Sequence, residues 1–206
     1  IRDRDYFFVG GMPAVVEAWQ SIDEVQPLKR IKAVRQAQNQ LLADYRNDFG
    51  KYDKQNKTTT LQIERVFDSL PKQIMQEAND QIPKFQFKGV LGTRNTSYRD
   101  VADPIDYLIK LNLLTKVKVI ESNNKDYPQA ILHKENMFKL VPHDVGLLGA
   151  MANVTYQSII DNASSYKGFL AECFALNEMQ SNLTLFSDTQ FFTWRTRNHE
   201  IEFVIT

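Results

Sequence analysis

The chain has 206 residues, of which 43% are hydrophobic and 11% aromatic, and its formal net charge is zero at pH 7. That composition excludes a disordered chain, and the length suits one large domain or two small ones. The zero total hides an asymmetry, because residues 143–206 hold three Lys or Arg against seven Asp or Glu, which leaves 22 against 18 in residues 1–142. A polyanion is expected to prefer the first part, although so small a surplus establishes no partner by itself.

A single cysteine, Cys173, excludes an intrachain disulfide and favours a reducing, cytoplasmic location. Its apolar neighbours indicate a core residue rather than a nucleophile. No apolar run reaches the ~20 residues of a membrane span, so no membrane partner is expected. The first residue is Ile1, from which we expect the sequence to be a piece of a longer protein.

Helices are predicted for most of the first 80 residues. An apolar run at 6–9 ends at two glycines, and a helix opens at Pro13, where proline costs little because the first turn needs no N–H. Apolar residues at three- and four-residue steps predict a long helix over 25–48. Its basic face fits phosphate contact or, more simply, solvation. A further helix is predicted from Leu61, with a break and a new start at Pro71.

The next segment alternates over 84–88 and is expected to be extended. Residues 97–112 are predicted to be mainly helical, but Pro104 removes a backbone hydrogen bond and crowds the preceding turn. Two alternatives follow. Either the helix kinks at Pro104, or Asp103 caps a new helix start.

Alternation over 114–120 predicts a strand, and helices followed by a strand are the order of a winged helix-turn-helix unit. The wing tip would lie at 123–126 and the returning strand at 138–141. Arginine and lysine near the third helix are the residue types that contact phosphates and base edges. Winged helices also serve as protein-interaction modules, and acidic residues on this helix favour that alternative. The candidate nucleic-acid-binding residues are Lys88, Arg94, Arg99, Lys116 and Lys118.

The last third begins with Asp144, which is placed to cap a helix over 145–151. A polar connection is predicted over 153–165 and a helix with an apolar side over 168–179. Three strands are then predicted, at 183–186, 191–195 and 200–205.

Three glutamates in this last part are candidate metal ligands. Glu200 and Glu202 are two apart on a strand and point to one face, while Glu172 lies on the preceding helix. Carboxylates bind Mg²⁺, which activates water for phosphodiester attack. Two features oppose this prediction, because the region is negatively charged and no lysine follows Glu202. Histidines at metal-ligand spacing and phosphate-binding glycine loops are both missing from the sequence.

Several segments, taken in order, resemble the C-terminal region of prokaryotic AAA-type P-loop ATPases, a region of unknown function. They cover nearly the whole chain and lie at 6–19, 45–52, 65–74, 138–148, 167–179 and 191–205. The resemblance implies a helical linker region, a winged-helix unit and a restriction-endonuclease-like α/β core. It also implies that the ATPase domain, with its ATP and Mg²⁺, precedes Ile1, so no cofactor is expected in this chain.

In that family the helix glutamate matches Glu172, and a strand Glu-x-Asp pair matches Glu200 and Glu202, the second being Glu here. The family's Glu-x-Lys strand would lie beyond Thr206. We therefore expect an α+β chain divided into a helical linker at 1–59, a winged-helix-like domain at 60–142 and a partial nuclease-like domain at 143–206. The expected function is non-catalytic binding of nucleic acid or protein, coupled to the ATPase. The alternatives are a Mg²⁺-dependent nuclease in the full-length protein and a purely structural or regulatory module. The expected partners are DNA, the chain's own ATPase domain and a second copy of the chain.

Overall fold

The computed structural model describes residues 3–51, 59–78, 84–121, 134–161, 164–183, 190–195 and 200–205. Within these ranges the fold is α+β, with eight helices and one four-stranded mixed sheet. The helices are α1 (Asp3–Val9), α2 (Pro13–Gln20), α3 (Pro27–Phe49), α4 (Thr60–Ala78), α5 (Tyr98–Lys110), α6 (Val145–Met151), α7 (Tyr156–Ile160) and α8 (Ser164–Leu183). The strands are β1 (Leu114–Glu121), β2 (Phe138–Pro142), β3 (Phe191–Arg195) and β4 (Glu200–Ile205). Each helix in the described ranges is too short or too polar to cross a lipid bilayer.

The sheet has the strand order β2-β1-β3-β4. β1 and β2 form an antiparallel pair in which Lys116 lies opposite Leu140. β1 pairs with β3 in parallel, and β3 pairs antiparallel with β4 across an irregularity between Phe192 and Trp194. The sheet therefore joins strands from residues 114–142 with strands from residues 191–205, on both sides of the predicted domain boundary at 142.

The two faces of the sheet carry different side chains because successive strand residues point to opposite sides. Val117 and Val141 belong to a buried cluster that also includes Leu170 and Leu176 of α8. On the other face, Leu140 packs in a cluster with residues of α4 and α5. All five residues of β2 are buried, as expected for a strand covered on both faces.

The buried apolar residues form three clusters. The first joins the end of α3 to α4, α5 and one sheet face, and the second joins the other sheet face to α6 and α8. The third holds α1, α2 and the first half of α3 together around Val34 and Trp19. These three clusters connect the N-terminal helices to the sheet through α3 and α6.

Most predicted elements of the first part are confirmed, but the break at Pro71 and one of the two alternatives at Pro104, the new helix start at Asp103, are not. α4 continues from Thr60 to Ala78 through Pro71, so the predicted break is wrong. α5 also continues through Pro104, and its first turn is closed by Ser97 and Asp100 rather than by Asp103. Both prolines are buried, and the apolar packing of each helix offsets the single hydrogen bond that proline removes.

Other elements differ in extent. Residues 6–9 form the end of helix α1, and the predicted connection at 153–165 contains α7. α8 is longer than predicted and includes Leu183, while residues 184–186 of the predicted strand lie outside the described residues, as does the wing tip at 123–126. Phe85 N donates to Phe138 O at 2.8 Å, so the segment at 84–88 makes one strand-like contact with β2.

Asp144 caps α6, as predicted, and also binds the turn that follows α1. One carboxylate oxygen, Oδ1, accepts from Leu147 N at 2.7 Å, and the other, Oδ2, accepts from Gly11 N at 2.7 Å. Asp144 as a residue is 6% exposed. Burial raises its pKa above the ordinary value, while backbone N–H groups of Leu147, Gly11 and Gly146 oppose that rise. One side chain therefore holds two distant turns together.

Glycine is required on both sides of this contact. Gly10 has φ +77°, and a Cβ there would overlap the Asp144 carboxylate. A Cβ on Gly146 would overlap the backbone carbonyl of Val9, which belongs to α1. The close approach of the two backbones is therefore possible because neither glycine carries a side chain.

We predict that Gly146→Ala lowers the free energy of unfolding by about 1–3 kcal/mol, because the new methyl group must displace the α1 backbone. The control is Gly149→Ala in the same helix, where the added Cβ would lie 3.9 Å from the nearest atom, the Cβ of Val154. That variant should be neutral or stabilised by up to about 1 kcal/mol, because alanine favours helix over glycine. Chemical denaturation of both variants measures the difference, and equal stabilities would contradict the packing described here.

Candidate functional site

Lys116 and Lys118 lie on the face of β1 that is opposite Val117, and both ammonium groups lie over aromatic rings. Lys116 Nζ is 4.5 Å from the centre of the Phe138 ring and 5.4 Å from that of Tyr98. It also donates to the Tyr98 hydroxyl at 3.4 Å. Lys118 Nζ is 5.7 Å from the ring centre of Phe192. The rings fix the position of both cations while leaving them partly exposed.

An aromatic cluster connects Lys116 to the other candidate nucleic-acid-binding residues. The rings of Phe87, Tyr98 and Phe138 lie 5.8–5.9 Å from one another. Lys88 directly follows Phe87, and Arg99 directly follows Tyr98; both are exposed. Lys116 therefore contacts the ring cluster directly, while Lys88 and Arg99 each follow one of its residues in the chain, and up to 28 residues separate the three in the sequence.

Arg94 is exposed in the segment that leads from Lys88 to α5. We call these five residues the α5–β1 surface: Lys88, Arg94, Arg99, Lys116 and Lys118. Asp100 is an acidic residue that directly follows Arg99 in the sequence. Its carboxylate accepts hydrogen bonds from the backbone N–H and the hydroxyl of Ser97 at 2.7 and 2.8 Å. These hydrogen bonds lower the pKa of Asp100, so its carboxylate stays charged while it caps α5. Asp103 and Asp106 are exposed further along α5. Because their carboxylates repel an anion, we expect an anion to bind near the first turn of this helix rather than near its middle.

The glutamates of the predicted metal site lie beside a lysine that sequence reasoning did not assign to it. Lys139 Nζ is 3.0 Å from Glu202 Oε2 and 3.7 Å from Glu172 Oε2. The Lys139 residue is 5% exposed, whereas the side chains of Glu172 and Glu202 are 28% and 44% exposed. A buried ammonium thus faces two carboxylates that reach towards solvent. We call these three residues the lysine–glutamate cluster.

Three elements position this cluster. Lys139 lies opposite Val117 in the β1–β2 pair and therefore shares the sheet face that α8 covers. Glu172 reaches it from α8, and Glu202 reaches it from β4, whose backbone oxygen at this residue accepts from Thr193 Oγ1 at 2.9 Å. The side chain of Glu200 lies outside the described residues. The sequence carried one signal for Lys139, which is the charged residue in a strand whose other residues are all apolar.

The cluster has the donors of a charge network rather than those of a closed metal site. Across the described ranges, no group of three or more His, Cys, Asp and Glu side chains is placed to hold a metal ion. The Lys139 ammonium lies where the two carboxylates converge. Metal binding by Glu172 and Glu202 stays a prediction, and a cation there would share both carboxylates with Lys139.

Cys173 is a buried core residue, in agreement with the sequence. It is 1% exposed, packs in the cluster with Val141 and Leu170, and donates from Sγ to Pro142 O at 3.2 Å. Burial raises the pKa of its thiol well above the ordinary value. The thiolate, which is the nucleophilic form, is therefore disfavoured at neutral pH.

We predict that removing the two carboxylates destabilises the protein more than removing the lysine. The double variant Glu172→Gln/Glu202→Gln removes two negative charges that face the buried Lys139 ammonium, which should cost roughly 1–3 kcal/mol, less than for a fully buried pair because Glu202 is half exposed. Lys139→Met fills the same space without a charge and should cost less. Chemical denaturation at pH 7 compares them. A Lys139→Met variant that is the less stable of the two would show that the lysine contributes more than charge balance.

Comparison with known proteins gives one family. Residues 3–158 match the family model of a domain of unknown function, DUF8612. No curated protein and no solved structure matches the chain. The relation to AAA-type ATPases is not part of the family match and stays a prediction. Because the match covers well over half of the sequence, the chain belongs to the DUF8612 family.

Proposed function

We propose that this chain binds nucleic acid through the α5–β1 surface. The observation that carries the proposal is the Phe87–Tyr98–Phe138 cluster, because Lys116 lies over two of its rings and exposed Lys88 and Arg99 each follow one of its residues in the chain. Cations from separate elements on one rigid support are suited to the repeating phosphates of a nucleic-acid backbone. The location in the first 142 residues agrees with the positive surplus of that part.

The chemistry of the surface supports backbone contact more than base reading. Lys116 is held by two rings and the Tyr98 hydroxyl, so its ammonium is preorganised as a point charge. Arg99 lies in the first turn of α5, and Arg94 precedes it in an exposed segment. Arg side chains can bind phosphate with two parallel hydrogen bonds. The proposal is therefore binding with strong salt dependence and modest sequence preference.

We further propose that this binding is coupled to an ATPase in the parent protein. The basis is the resemblance to the C-terminal region of prokaryotic AAA-type ATPases, and two of the segments that carry it meet in the structure. Gly11 belongs to the segment at 6–19 and Asp144 to the segment at 138–148, and they share a hydrogen bond. In the structural alternative, the same chain regulates or assembles the ATPase without contacting nucleic acid.

A second candidate function, Mg²⁺-dependent phosphodiester cleavage in the full-length protein, is favoured by the lysine–glutamate cluster. One feature of the sequence that opposed this function was that no lysine follows Glu202. In the structure, Lys139 supplies an ammonium group 3.0 Å from the Glu202 carboxylate. A lysine beside metal-binding carboxylates can stabilise negative charge that develops on a phosphate.

The proposed function predicts that duplex DNA binds with a steep salt dependence and that Arg94→Ala/Arg99→Ala weakens it. Loss of two phosphate contacts should lower the affinity by about tenfold or more and reduce the slope of log K against log salt by roughly two. Fluorescence anisotropy of a labelled duplex at several salt concentrations measures both quantities. Both arginines are exposed, so the fold should be unchanged.

The matched control is Lys29→Ala/Lys32→Ala, which removes two exposed positive charges from α3. This double variant should keep nearly the full affinity, because a general charge effect is spread over the whole protein whereas phosphate contacts are local. Equal losses in the two double variants would contradict a defined surface. Failure of the unchanged protein to bind duplex at low salt would favour the structural alternative.

The nuclease candidate predicts Mg²⁺-dependent nicking of supercoiled plasmid by the full-length protein. Glu202→Gln should abolish the nicking, because the charge of one metal-binding carboxylate is lost. The control is Glu178→Gln, an exposed glutamate on α8 outside the cluster, which should nick at the same rate. Persistence of nicking in the Glu202→Gln protein, or its absence from the unchanged protein, would remove this candidate.

A further inference from the structure

A groove of about 480 Å³ lies between α4 and the segment that leads to α5. Its basic lining comes from both sides, with Arg65 and Lys72 on α4 and Lys88 on the facing segment. Its volume is in the range of sites that bind small molecules. Apart from Lys88, these residues do not belong to the α5–β1 surface.

The charge balance inside the groove is positive. The carboxylate in its lining, Asp68, accepts from Arg46 Nη2 at 2.7 Å, and Arg46 lies on α3 outside the groove. Arg46 therefore offsets the negative charge of Asp68. Arg65 donates from Nη1 to the backbone oxygen of Leu91, a contact that fixes the direction of its guanidinium. Three cations thus line one concave surface, and Asp68, the carboxylate of the same lining, is already paired with Arg46.

Two residues of the groove lining, Gln73 and Gln86, join its two sides by a pair of hydrogen bonds. Gln73, which is 8% exposed, donates from Nε2 to Gln86 O at 2.8 Å and accepts at Oε1 from Gln86 N at 2.9 Å. These two hydrogen bonds of the Gln73 amide join α4 to the facing segment. The distance between the two basic walls is therefore set by the fold before any ligand arrives, which lowers the entropic cost of binding.

We propose that this groove is a binding site for a phosphate group. A phosphate oxyanion can accept hydrogen bonds from guanidinium and ammonium donors on both walls at once, and Arg65, Lys72 and Lys88 are the donors that the groove provides. The group can belong to a nucleic-acid backbone or to a free phosphorylated small molecule. The site is carried by the cavity and its charges, so it does not depend on duplex binding at the α5–β1 surface.

The test is isothermal titration calorimetry of the whole chain with inorganic pyrophosphate at low ionic strength. The unchanged protein should show saturable binding with one site. Lys72→Glu should weaken it by about tenfold or more, because one charge-assisted hydrogen bond is replaced by repulsion. Lys88→Glu on the opposite wall is the second variant and should have the same effect. The control is Lys29→Glu on α3, an equal charge reversal of an exposed lysine, which should leave the affinity unchanged.

Competition separates the two sources of phosphate. Displacement of pyrophosphate by duplex DNA in the unchanged protein would assign the groove to a nucleic-acid backbone, while binding of both together would assign it to a free phosphorylated molecule. Absence of saturable pyrophosphate binding, or equal weakening by Lys29→Glu and Lys72→Glu, would overturn the proposal. Loss of duplex binding in the Arg94→Ala/Arg99→Ala protein bears on the proposed function alone, because neither arginine lines the groove.

Discussion

The Asp144 carboxylate is the contact on which the rest of the arrangement depends. It caps α6 through Leu147 N and binds the turn after α1 through Gly11 N, which places the N-terminal helices against the sheet. A buried carboxylate is costly unless its oxygens are satisfied, and each charge-assisted hydrogen bond returns about 1.5–3 kcal/mol. Because Gly10 and Gly146 let the backbones approach, the carboxylate can reach both turns. The basic surface and the groove are built on the sheet and helices that this contact helps to hold in place.

The sequence predicted the elements whose signal is local and missed the contacts whose partners are far apart. The periodicity of α3, the alternation of β1 and the capping role of Asp144 are all readable within a few residues, and the structure confirms them. The predicted break at Pro71 was wrong because the burial of apolar residues of α4 offsets the backbone hydrogen bond that proline removes. Lys139 was missed because Glu202 is 63 residues away, and no pattern in either segment indicates that β2 and β4 lie in one sheet.

The fold pairs some charges of the basic first part of the chain with charges of its acidic last part. Lys139 comes from the basic first part and lies between Glu172 and Glu202 of the acidic last part. Part of the negative surplus at the end of the chain is therefore balanced inside the fold rather than presented to solvent. The positive charges of the α5–β1 surface and of the groove include exposed residues such as Arg94, Arg99 and Lys72, and Lys88 belongs to both regions. Both proposed sites accordingly lie in residues 1–142, the part of the chain that holds the positive surplus.

The family match ends at residue 158, but the sheet of the fold includes strands that lie beyond that residue. The family covers residues 3–158, which include β1 and β2 but neither α8 nor the last two strands. In the structure β3 pairs with β1 in parallel, and α8 covers the face that carries Val117, Val141 and Lys139. Without these later elements, Val117 and Val141 would lose their packing against Leu170 and Leu176, and the Lys139 ammonium would lose both carboxylates. The segment beyond residue 158 thus adds two strands to the sheet of the family domain, and residues on both sides of that limit contribute to its buried core.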